Sequence, residues 1–294
     1  MSKIYEDITI ITVLYDSSNI VIDHFKSLKN FKIIVVDNGK NEKILKKLEN
    51  FNNLNIVTKS ANLGYGRAIN FAFENIKSKY ILVLSPDLVI SENSINNLYN
   101  SIIKYSNAGL VAPVTKPDKD FYGLFPEKSS KGEISHNEIK CRYLLDKTEL
   151  EGEICVDVAK GCALLLNSKY FEEIGKFDER YFLFWEELDL CRRLNRKKYS
   201  VIIDPNSTAF HKQGRSSKIN IKNFMVKTFH SEYSPLIYFN VQKLSFFLIK
   251  KLIKCFYRFF AYLLILNLKK SLMYFVRFYA HVKYFLDLKS SLKK

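Results

Sequence analysis

Apolar and polar positions alternate along the first 115 residues in two different rhythms. Short runs rich in β-branched residues predict strands, which lie at Ile8–Leu14, Phe31–Val36, Leu54–Val57, Tyr80–Leu84 and Gly109–Val114. The segments between them have the period of a helix and predict helices at Glu42–Leu48, Arg67–Ile76 and Ile95–Tyr105. Strands that alternate with helices form βαβ units, so this region predicts an α/β domain with a mostly parallel sheet flanked by helices.

The pattern changes after this region. Residues 115–153 are rich in Pro, Gly, Lys and Ser without a sustained period, which predicts long variable loops that border the site. A regular pattern returns with an apolar run at Val156–Leu166, a helix at Glu186–Arg196 and a strand at Tyr199–Ile203. Neither Gly nor Pro occurs after Pro235, so the last 59 residues predict a pair of long helices.

Charge divides the chain near the same place. The formal net charge is +16, of which residues 1–210 carry +1 and residues 211–294 carry +15. We therefore expect a near-neutral α/β domain over residues 1–216 and a basic helical extension over residues 217–294. A hydrophobic content of 47% excludes a disordered or low-complexity protein.

Basic residues of the extension recur at the spacing of one helix face; they are Lys243, Lys250, Lys251, Lys254 and Arg258. On a helix otherwise built of Leu, Phe, Ile and Tyr, this stripe predicts an interfacial helix on an anionic membrane surface. A helix bundle or dimer interface whose lysines reach out to solvent is the alternative. Nucleic-acid binding is the weaker reading, because the stripe lies on a very apolar helix and no recognition motif is present.

Cysteine usage and the hydropathy profile address the cellular compartment. Five cysteines without a C-x-x-C pair argue against a zinc ribbon and a disulfide framework. The first residues lack the charged-then-apolar run of a signal peptide. The longest charge-free run of the extension, Phe259–Leu268, is too short to span a bilayer. We therefore expect a cytoplasmic protein, peripheral on the inner face of the cell membrane.

Carboxylates follow two of the predicted strands. Asp37 follows the strand that ends at Val36, and Asp87 stands in Ser85-Pro86-Asp87 after the strand that ends at Leu84. Ligands gather at the carboxyl ends of parallel strands, and a divalent cation on a diphosphate takes one or two such oxygens from protein. Each Asp also fits ordinary turn chemistry, which stays open as the alternative.

A glycine-containing segment, Asn62–Asn70, follows a strand and begins a helix. Gly64 and Gly66 allow close approach of the backbone to a ligand, and the start of a helix attracts anions. Arg67 adds a charge suited to a diphosphate. The segment is neither a Walker loop nor a full dinucleotide fingerprint, so a plain glycine turn is the alternative.

Three acids begin the predicted helix at Glu186–Arg196. Glu187 starts an apolar helix face, next to Trp185 in sequence, where partial desolvation and packing suit a general base. A simple acidic residue at the helix start is the alternative. Asp189 shares a face with three arginines, which predicts solvated ion pairs. His211 follows the last strand, where a lone histidine is usually structural.

Taken in order, these segments resemble family 2 glycosyltransferases with the GT-A fold, of the bacterial rhamnosyltransferase-like branch. The resemblance covers roughly residues 8–216. The segments that carry it are Thr12–Tyr15, Val35–Asn38, Asn62–Asn70, Leu84–Asp87, Gly161–Ala163, Ile174–Glu179, Phe184–Arg193 and His211–Gly214.

The resemblance implies a set of site residues. The nucleotide-sugar donor would contact Tyr15, Asp37, Asn62, Gly64, Arg67 and Asp87. The resemblance further implies a Mn²⁺ or Mg²⁺ ion on Asp87 and His211, with imidazole favouring Mn²⁺. Glu187 would be the general base, and the acceptor would contact Trp185, Glu186 and Asp189. Two positions depart from the family: Ser85 stands where the metal motif has a preceding acid, and Glu187 where an aspartate is usual.

The activity implied is an inverting transfer of a sugar from a nucleotide sugar to a saccharide or lipid-linked acceptor in cell-surface polysaccharide biosynthesis. The branch suggests rhamnose from dTDP-rhamnose as the donor. A second copy of the chain is a further candidate partner, which the branch does not imply. A catalytically inactive subunit that binds nucleotide sugars is the alternative function, and a basic nucleic-acid-binding protein is the remote one.

Overall fold

The computed structural model describes residues 3–17, 21–39, 42–59, 61–116, 152–211, 220–242 and 246–291. The described residues divide into two compact units. The first holds all of the described strands and the first seven helices. The second holds three long helices and the segment Arg180–Trp185. Nearly all of the predicted loops at 115–153, and the predicted boundary after residue 216, lie outside the described residues.

The first unit contains nine described strands and seven described helices. The strands are β1 (Ile8–Leu14), β2 (Lys32–Asp37), β3 (Leu54–Thr58), β4 (Tyr80–Leu84), β5 (Leu88–Ile90), β6 (Ala108–Lys116), β7 (Ile154–Val156), β8 (Ala163–Asn167) and β9 (Ser200–His211). The helices are α1 (Lys3–Asp7), α2 (Val21–Lys26), α3 (Glu42–Leu48), α4 (Tyr65–Phe73), α5 (Glu92–Lys104), α6 (Ser168–Glu173) and α7 (Glu186–Arg196).

The strands form one mixed sheet in the order β3-β2-β1-β4-β8-β6-β9-β5, with β7 paired to β9. Strands β3, β2, β1 and β4 are parallel, as the βαβ pattern predicts. Beyond them, β8 runs antiparallel to both β4 and β6, and β9 is parallel to β6. The α/β class is confirmed. The expectation of a mostly parallel sheet holds for β3, β2, β1 and β4 and for the β6–β9 pair, whereas β8, β5 and β7 pair antiparallel, because an apolar run does not encode strand direction.

Alternate side chains of the central strands fill two cores, one on each face of the sheet. On β1, Ile8, Ile10 and Leu14 belong to one core, and Ile11 and Val13 to the other. The first core is covered by helices such as α2 and α5, and the second by α4, α6 and α7. Because both faces are covered, β1 is buried along its whole length, as expected for a central parallel strand.

Strand β9 continues well past the strand predicted at Tyr199–Ile203. Pro205 interrupts its pairing with β6, and the partner of Pro113 is Asp204 whereas the partner of Val114 is Thr208. The extra residues form a bulge, where proline is tolerated in a sheet. After the bulge β9 pairs with β5, with His211 opposite Leu88. The bulge therefore carries the strand on to the end of the sheet where His211 lies.

The second unit is built from α8 (Ile221–Tyr238), α9 (Phe246–Leu264) and α10 (Leu268–Ser291). The predicted pair of long helices is confirmed as α9 and α10, and α8, with Pro235 in its last turn, lies within the extension expected to be helical. A small core joins Leu236, Val241, Leu248 and Tyr284. Within the ranges that the structure covers, no helix combines the length and hydropathy needed to cross a bilayer.

The predicted basic stripe on α9 does not face one environment. Lys251 turns inward, with its Nζ 2.7 Å from Oε2 of the buried Glu232 on α8. Arg258 donates a hydrogen bond to Tyr274 of α10. Only Lys250 and Lys254 are exposed, and Lys243 lies outside the described residues. The expectation of one basic stripe on a single helix face is therefore wrong, because Lys251 and Arg258 pair with groups on neighbouring helices.

Glu232 is the centre of a buried ionic cluster that links all three helices. Besides Lys251, Arg277 Nε lies 3.3 Å from Oε1, and His281 Nε2 lies 3.8 Å from Oε2. Burial alone would raise the pKa of Glu232, but the charges of Lys251, His281 and Arg277 outweigh burial and lower it. Burial lowers the pKa of His281, and the neighbouring Lys251 lowers it further.

We expect Glu232→Gln to destabilise the helical unit by about 2 kcal/mol, because the partly buried Lys251 and Arg277 then lack their countercharge. In the wild type, a carboxylate with a lowered pKa stabilises the fold above its ordinary pKa, and this contribution is lost as the pH falls through the folded value. Neutral His281 adds a loss that begins as the pH falls below about 6.5. Urea denaturation followed by circular dichroism at pH 7 and pH 4 measures both effects.

Asp287→Asn is the matched control, because Asp287 makes a half-exposed pair with Lys283 on the same unit. That variant should lose no more than about 1 kcal/mol. A Glu232→Gln protein as stable as the wild type at pH 7, or a wild-type stability that does not change between pH 7 and pH 4, would contradict the role of the cluster.

Candidate functional site

The carboxyl ends of β1, β2, β3, β4, β6 and β9 meet at one edge of the sheet. The first four strands are parallel neighbours, and β6 and β9 share their direction because β8 runs antiparallel to both β4 and β6. Tyr15 follows β1, Asp37 ends β2, Asp87 lies just after β4, and His211 ends β9. The topology thus brings four predicted site residues, nearly 200 positions apart along the chain, to one edge.

Asp37 is fully buried at this edge. Its Oδ1 accepts a hydrogen bond from the backbone N–H of Gly39 at 3.0 Å. Its Oδ2 is buried and has no hydrogen-bond donor among the described residues. A buried carboxylate oxygen without a donor is costly, so this atom is suited to accept a hydrogen bond from a ligand.

Asn38 joins three segments at the same edge, and sequence reasoning assigned it no role. Its backbone N–H donates to Leu14 O at 2.8 Å, and its Nδ2 donates to Gly64 O at 2.8 Å. Its Oδ1 accepts from Leu63 N at 3.3 Å. The loop is further closed by a hydrogen bond from Gly64 N to Asn62 Oδ1, and Gly64 has a φ of 81°. Asn62 and Gly64 therefore shape the start of α4, with Asn38 as their anchor.

Gly39 allows the loops after β1 and β2 to touch. A Cβ at this position would lie 2.6 Å from Asp16 N and 3.0 Å from Tyr15 Cα, closer than real side chains approach a backbone. Asp16 itself has a φ of 45°, an uncommon conformation for a residue with a side chain. The predicted turn residues thus fix Tyr15, which is half-buried, beside the end of β2.

Asp87 and His211 meet, as the resemblance implies. His211 Nε2 lies 3.4 Å from Asp87 Oδ1, and both side chains are largely buried. His24, which lies next to this pair, is fully buried. Its Nδ1 lies 2.6 Å from Leu88 O, and its Nε2 lies 3.2 Å from Thr12 Oγ1. Because a carbonyl only accepts, Nδ1 of His24 donates and Nε2 accepts from Thr12. Burial lowers the pKa of His24 to about 4, so the ring is neutral at physiological pH.

The donor set at this corner fits a divalent cation that shares its ligands with a substrate. Among the described residues, no group of three or more His, Cys, Asp and Glu side chains could enclose a metal ion. Asp87 and His211 offer one oxygen and one nitrogen, and Ser85 replaces a second acid. A cation held by two protein ligands completes its coordination with phosphate oxygens and water, and an imidazole ligand favours Mn²⁺ over Mg²⁺.

Glu187 is the second residue of α7 and packs against Gly161. A Cβ on Gly161 would lie 3.3 Å from Cβ, Cγ and Cδ of Glu187, so the missing side chain leaves space for the carboxylate arm. Tyr65, at the start of α4, donates a hydrogen bond from its hydroxyl to Gly161 O at 3.1 Å. Tyr65 was not predicted. Its hydrogen bond positions the backbone of Gly161, against which Glu187 packs.

The apolar helix face that begins at Glu187 predicts that Glu187 is the more buried of the two acids. The structure shows the opposite: only 6% of Glu186 is exposed, whereas Glu187 is half-buried. Burial, and then the charge of Glu187, raises the pKa of Glu186 well above its usual range. Its Oε2 has no hydrogen-bond partner among the described residues. Burial therefore favours the protonated form of Glu186.

Asp189 was expected to form solvated ion pairs, and this is wrong. Only 3% of the residue is exposed, and its two oxygens lie 3.1 Å from Arg192 and 2.7 Å from Arg193. Arg193 is drawn inward because it also donates to the carbonyls of Ile174 and Lys176, at the end of α6. Asp189 therefore joins α7 to the end of α6, and its contact with an acceptor stays a prediction.

Trp185 belongs to the helical unit, where its ring packs against Tyr238 and Phe239 at centroid distances of 5.1 and 5.7 Å. Phe184 and Trp185 have φ angles of 66° and 73°. Two successive residues with side chains in this region store strain immediately before α7. The burial of the Trp185 ring gives it a packing role, and its contact with an acceptor stays a prediction.

Arg67 is half-exposed on α4 and is already engaged. Its Nε donates to Glu179 O at 2.7 Å and lies 3.9 Å from the Glu179 carboxylate. Residues Gly175–Glu179 line a cavity of about 490 Å³ together with Asn70 and Arg193, and no strand-end residue named above lines it. The predicted contact of Arg67 with a diphosphate stays a prediction.

Comparison with known protein families identifies the one to which this chain is similar. The sequence profile of glycosyl transferase family 2 matches residues 9–173, more than half of the chain. The chain belongs to glycosyl transferase family 2. The matched segment includes Tyr15, Asp37, the loop before α4 and Asp87. Glu187 and His211 lie beyond it.

Relatives in this family include two enzymes named as rhamnosyltransferases. An N-acetylglucosaminyl-diphospho-decaprenol L-rhamnosyltransferase of Mycobacterium tuberculosis is 24% identical over 63% of this chain and 67% of its own length. Rhamnosyltransferase WbbL of Escherichia coli is 26% identical over 57% and 67%. The low-salt glycan biosynthesis hexosyltransferase Agl10 of Haloferax volcanii is 24% identical over 67% and 64%.

Solved structures with a similar fold support the GT-A architecture. The structure of GalNAc-T7 with UDP, GalNAc and Mn²⁺ matches with a TM-score of 0.54 at 13% identity, over 78% of this chain and 50% of that chain. The mannosyltransferase PcManGT of Pyrobaculum calidifontis, in complex with GDP-Man and Mn²⁺, matches with a TM-score of 0.54 at 14% identity, over 76% and 61%. The chain thus spans half to two thirds of the proteins it matches, and at these identities the solved structures establish the fold alone.

We expect Gly39→Ala to destabilise this family 2 domain by about 2 kcal/mol, because its Cβ would force apart the loops after β1 and β2. Urea denaturation measures the free energy of unfolding. Gly152→Ala is the control, since a Cβ there meets nothing within 4 Å and should change stability by no more than about 0.5 kcal/mol. Equal stabilities of the two variants would refute the close packing of the two loops.

Proposed function

We propose that this chain transfers a hexosyl residue, with inversion, from a nucleotide sugar to a lipid-linked or oligosaccharide acceptor in the synthesis of a cell-surface glycan. The names of its relatives support rhamnose as the sugar, and dTDP-rhamnose is the donor we propose. The observation that carries the proposal is the meeting of Asp87 and His211, 3.4 Å apart, at the strand edge that also holds Asp37.

The donor would lie along the carboxyl ends of β1, β2 and β4. The open Oδ2 of Asp37 accepts a hydrogen bond from the base or ribose, next to Tyr15. The Asn62–Gly64 loop, fixed by Asn38, borders the diphosphate and sugar. Asp87 and His211 would hold Mn²⁺ or Mg²⁺, which when bound offsets the negative charge of the departing nucleoside diphosphate.

Glu187 would act as the general base. Its carboxylate removes the proton of an acceptor hydroxyl as that oxygen forms a bond to the anomeric carbon of the donor. The bond from the anomeric carbon to the diphosphate breaks on the opposite side, and its electron pair leaves with the diphosphate. Glu186, with its raised pKa, stays protonated and offers a hydrogen bond without competing for the proton.

The acceptor class suggests where the enzyme works. The relative from Mycobacterium tuberculosis is named for a decaprenol-linked acceptor. The basic residues of the helical unit favour binding to the anionic inner face of the cell membrane, where such a lipid is accessible from the cytoplasm. We therefore propose a peripheral enzyme that meets its acceptor at the membrane surface.

We expect Glu187→Gln to lower kcat about 10²- to 10⁴-fold while nucleotide binding is retained, because the amide cannot take the acceptor proton. Glu187→Asp should keep part of the activity. Product formation across a panel of nucleotide sugars and prenyl-diphosphate acceptors measures kcat, and Glu172→Gln, an exposed acid on α6, is the matched control. Equal transfer by wild type and Glu187→Gln would overturn the assignment. Nucleotide binding without transfer by either protein would favour the inactive subunit.

We expect a nucleoside diphosphate with Mn²⁺ to raise the melting temperature of the wild type more than either does alone. Ligand at about 100 times its Kd stabilises a fold by about 2.7 kcal/mol, which amounts to a few degrees. Asp87→Asn should lose the metal-dependent part of the shift, whereas the exposed Asp23→Asn should keep it. A wild-type shift that is independent of metal with every nucleotide tried would count against the cation site.

A further inference from the structure

The turn between α9 and α10 exposes a cluster of large aliphatic side chains, which we call the turn surface: Leu264, Ile265, Leu266 and Leu268. Leu264 is 84% exposed and Leu266 82% exposed. The outward face of α9 continues this surface with Ile253, Phe256, Tyr257, Phe260 and Leu263, all exposed. Soluble surfaces rarely hold so many contiguous large apolar side chains, so the turn surface points to a partner.

The backbone of this turn is closed on itself. Leu266 N donates to Leu263 O at 3.0 Å, and Asn267 N donates to Tyr262 O at 2.9 Å, which is the Schellman arrangement at the end of a helix. Asn267 Oδ1 then accepts from Lys270 N at 3.2 Å and caps the start of α10. Because the N–H groups of residues 265–268 all donate within the turn, they can enter an apolar medium without becoming unpaired donors there.

Contacts within the chain do not explain the conformation and the exposure of Leu266. It has a φ of 55° at the position of a Schellman motif where glycine is usual, so its side chain adds strain. Because 82% of it is exposed, it gains almost no burial within the chain in return. Leu266 therefore acquires a favourable environment only if something outside the chain covers it.

Charge identifies what covers the turn surface. No acidic residue occurs between Glu232 and Asp287, whereas lysines flank the turn on both sides. Lys250, Lys254, Lys269 and Lys270 are all exposed. Two copies of the chain meeting through this surface would bring like charges together, and a nucleic acid offers no apolar medium for the leucines. A partner that is both anionic and apolar is a bilayer with acidic headgroups.

We propose that the turn surface inserts into the acyl-chain boundary of an anionic membrane, with Lys269 and Lys270 at the level of the lipid phosphates. This inference rests on the peripheral membrane location proposed above. It adds which residues enter the lipid and what holds them, namely apolar burial at the turn with lysine contacts beside it. It also corrects the sequence-based expectation, since Lys251 and Arg258 face neighbouring helices rather than lipid.

Cosedimentation of the full chain with phosphatidylglycerol–phosphatidylcholine vesicles tests the inference. Leu264→Ser/Leu266→Ser should lower the partition coefficient roughly tenfold or more, because two leucine side chains lose their burial in lipid. Lys269→Gln/Lys270→Gln should weaken binding by roughly tenfold at low salt and flatten its salt dependence. The wild type should keep measurable binding at high salt, since apolar insertion is not screened.

Matched controls change the same residue types elsewhere. Ile103→Ser/Ile221→Ser removes two exposed aliphatic side chains, and Lys222→Gln/Lys227→Gln removes two exposed lysines of α8. Both controls should bind vesicles as the wild type does, and all four variants should melt like the wild type. A turn variant that binds as tightly as the wild type, or controls that lose binding equally, would overturn the inference.

Sedimentation velocity without vesicles addresses the competing occupant. If the wild type is a dimer that Leu264→Ser/Leu266→Ser dissociates, the surface is an interface between copies and the inference is wrong. Vesicle binding is measured without nucleotide, and nucleotide binding is measured without vesicles. A failed turn surface therefore leaves the proposed transferase intact, and a failed donor site leaves the turn surface intact.

Discussion

The hydrogen bonds of Asn38 hold the functional edge of the sheet together. Its main chain joins β2 to the end of β1, and its side chain holds the loop that begins α4. Asp37 is aimed by the same turn, and Gly39 lets the loop after β1 close over it. Parallel strands bring their ends to one edge of a sheet, but only such a polar clamp fixes loops of unrelated sequence into one surface.

Two kinds of buried acid serve different ends in this chain. Glu232 and Asp189 each lie between cations, where they tie helices together. Asp37 and Glu186 each keep a buried oxygen without a hydrogen-bond donor among the described residues. In the first arrangement a cation of the fold lies within 3.3 Å of each carboxylate oxygen. In the second arrangement a carboxylate oxygen is available to bind a ligand or a proton. This difference distinguishes an acid of a candidate site from an acid of a structural ion pair.

The regular elements were largely predictable because their signals are local. The predicted bounds of β1, β4, α3 and α7 coincide with the observed ones. The end of β9 was not predictable from local pattern, because the strand resumes after Pro205 through a bulge and there pairs with β5. That pairing depends on a partner distant in sequence, which a local pattern does not contain.

The chemistry of the site was predictable only in part. Asp37 and Asp87 could be placed at strand ends from the sequence, whereas the meeting of Asp87 with His211 came from family resemblance and depends on the bulge in β9. The burial of Asp189 and Lys251 was mispredicted, because each is drawn inward by groups on other elements. Asn38 and Tyr65 were missed, since their roles are hydrogen bonds to backbone far along the chain.

Hydrogen–deuterium exchange with and without a nucleoside diphosphate and Mn²⁺ tests the central claim most directly, because it reports where the nucleotide binds rather than whether it binds. We expect added protection at Asp37–Gly39, at the Asn62–Gly64 loop and at Asp87–Leu88. Protection confined to the cavity lined by Gly175–Glu179, or to the helical unit, with no change at these strand ends, would contradict it.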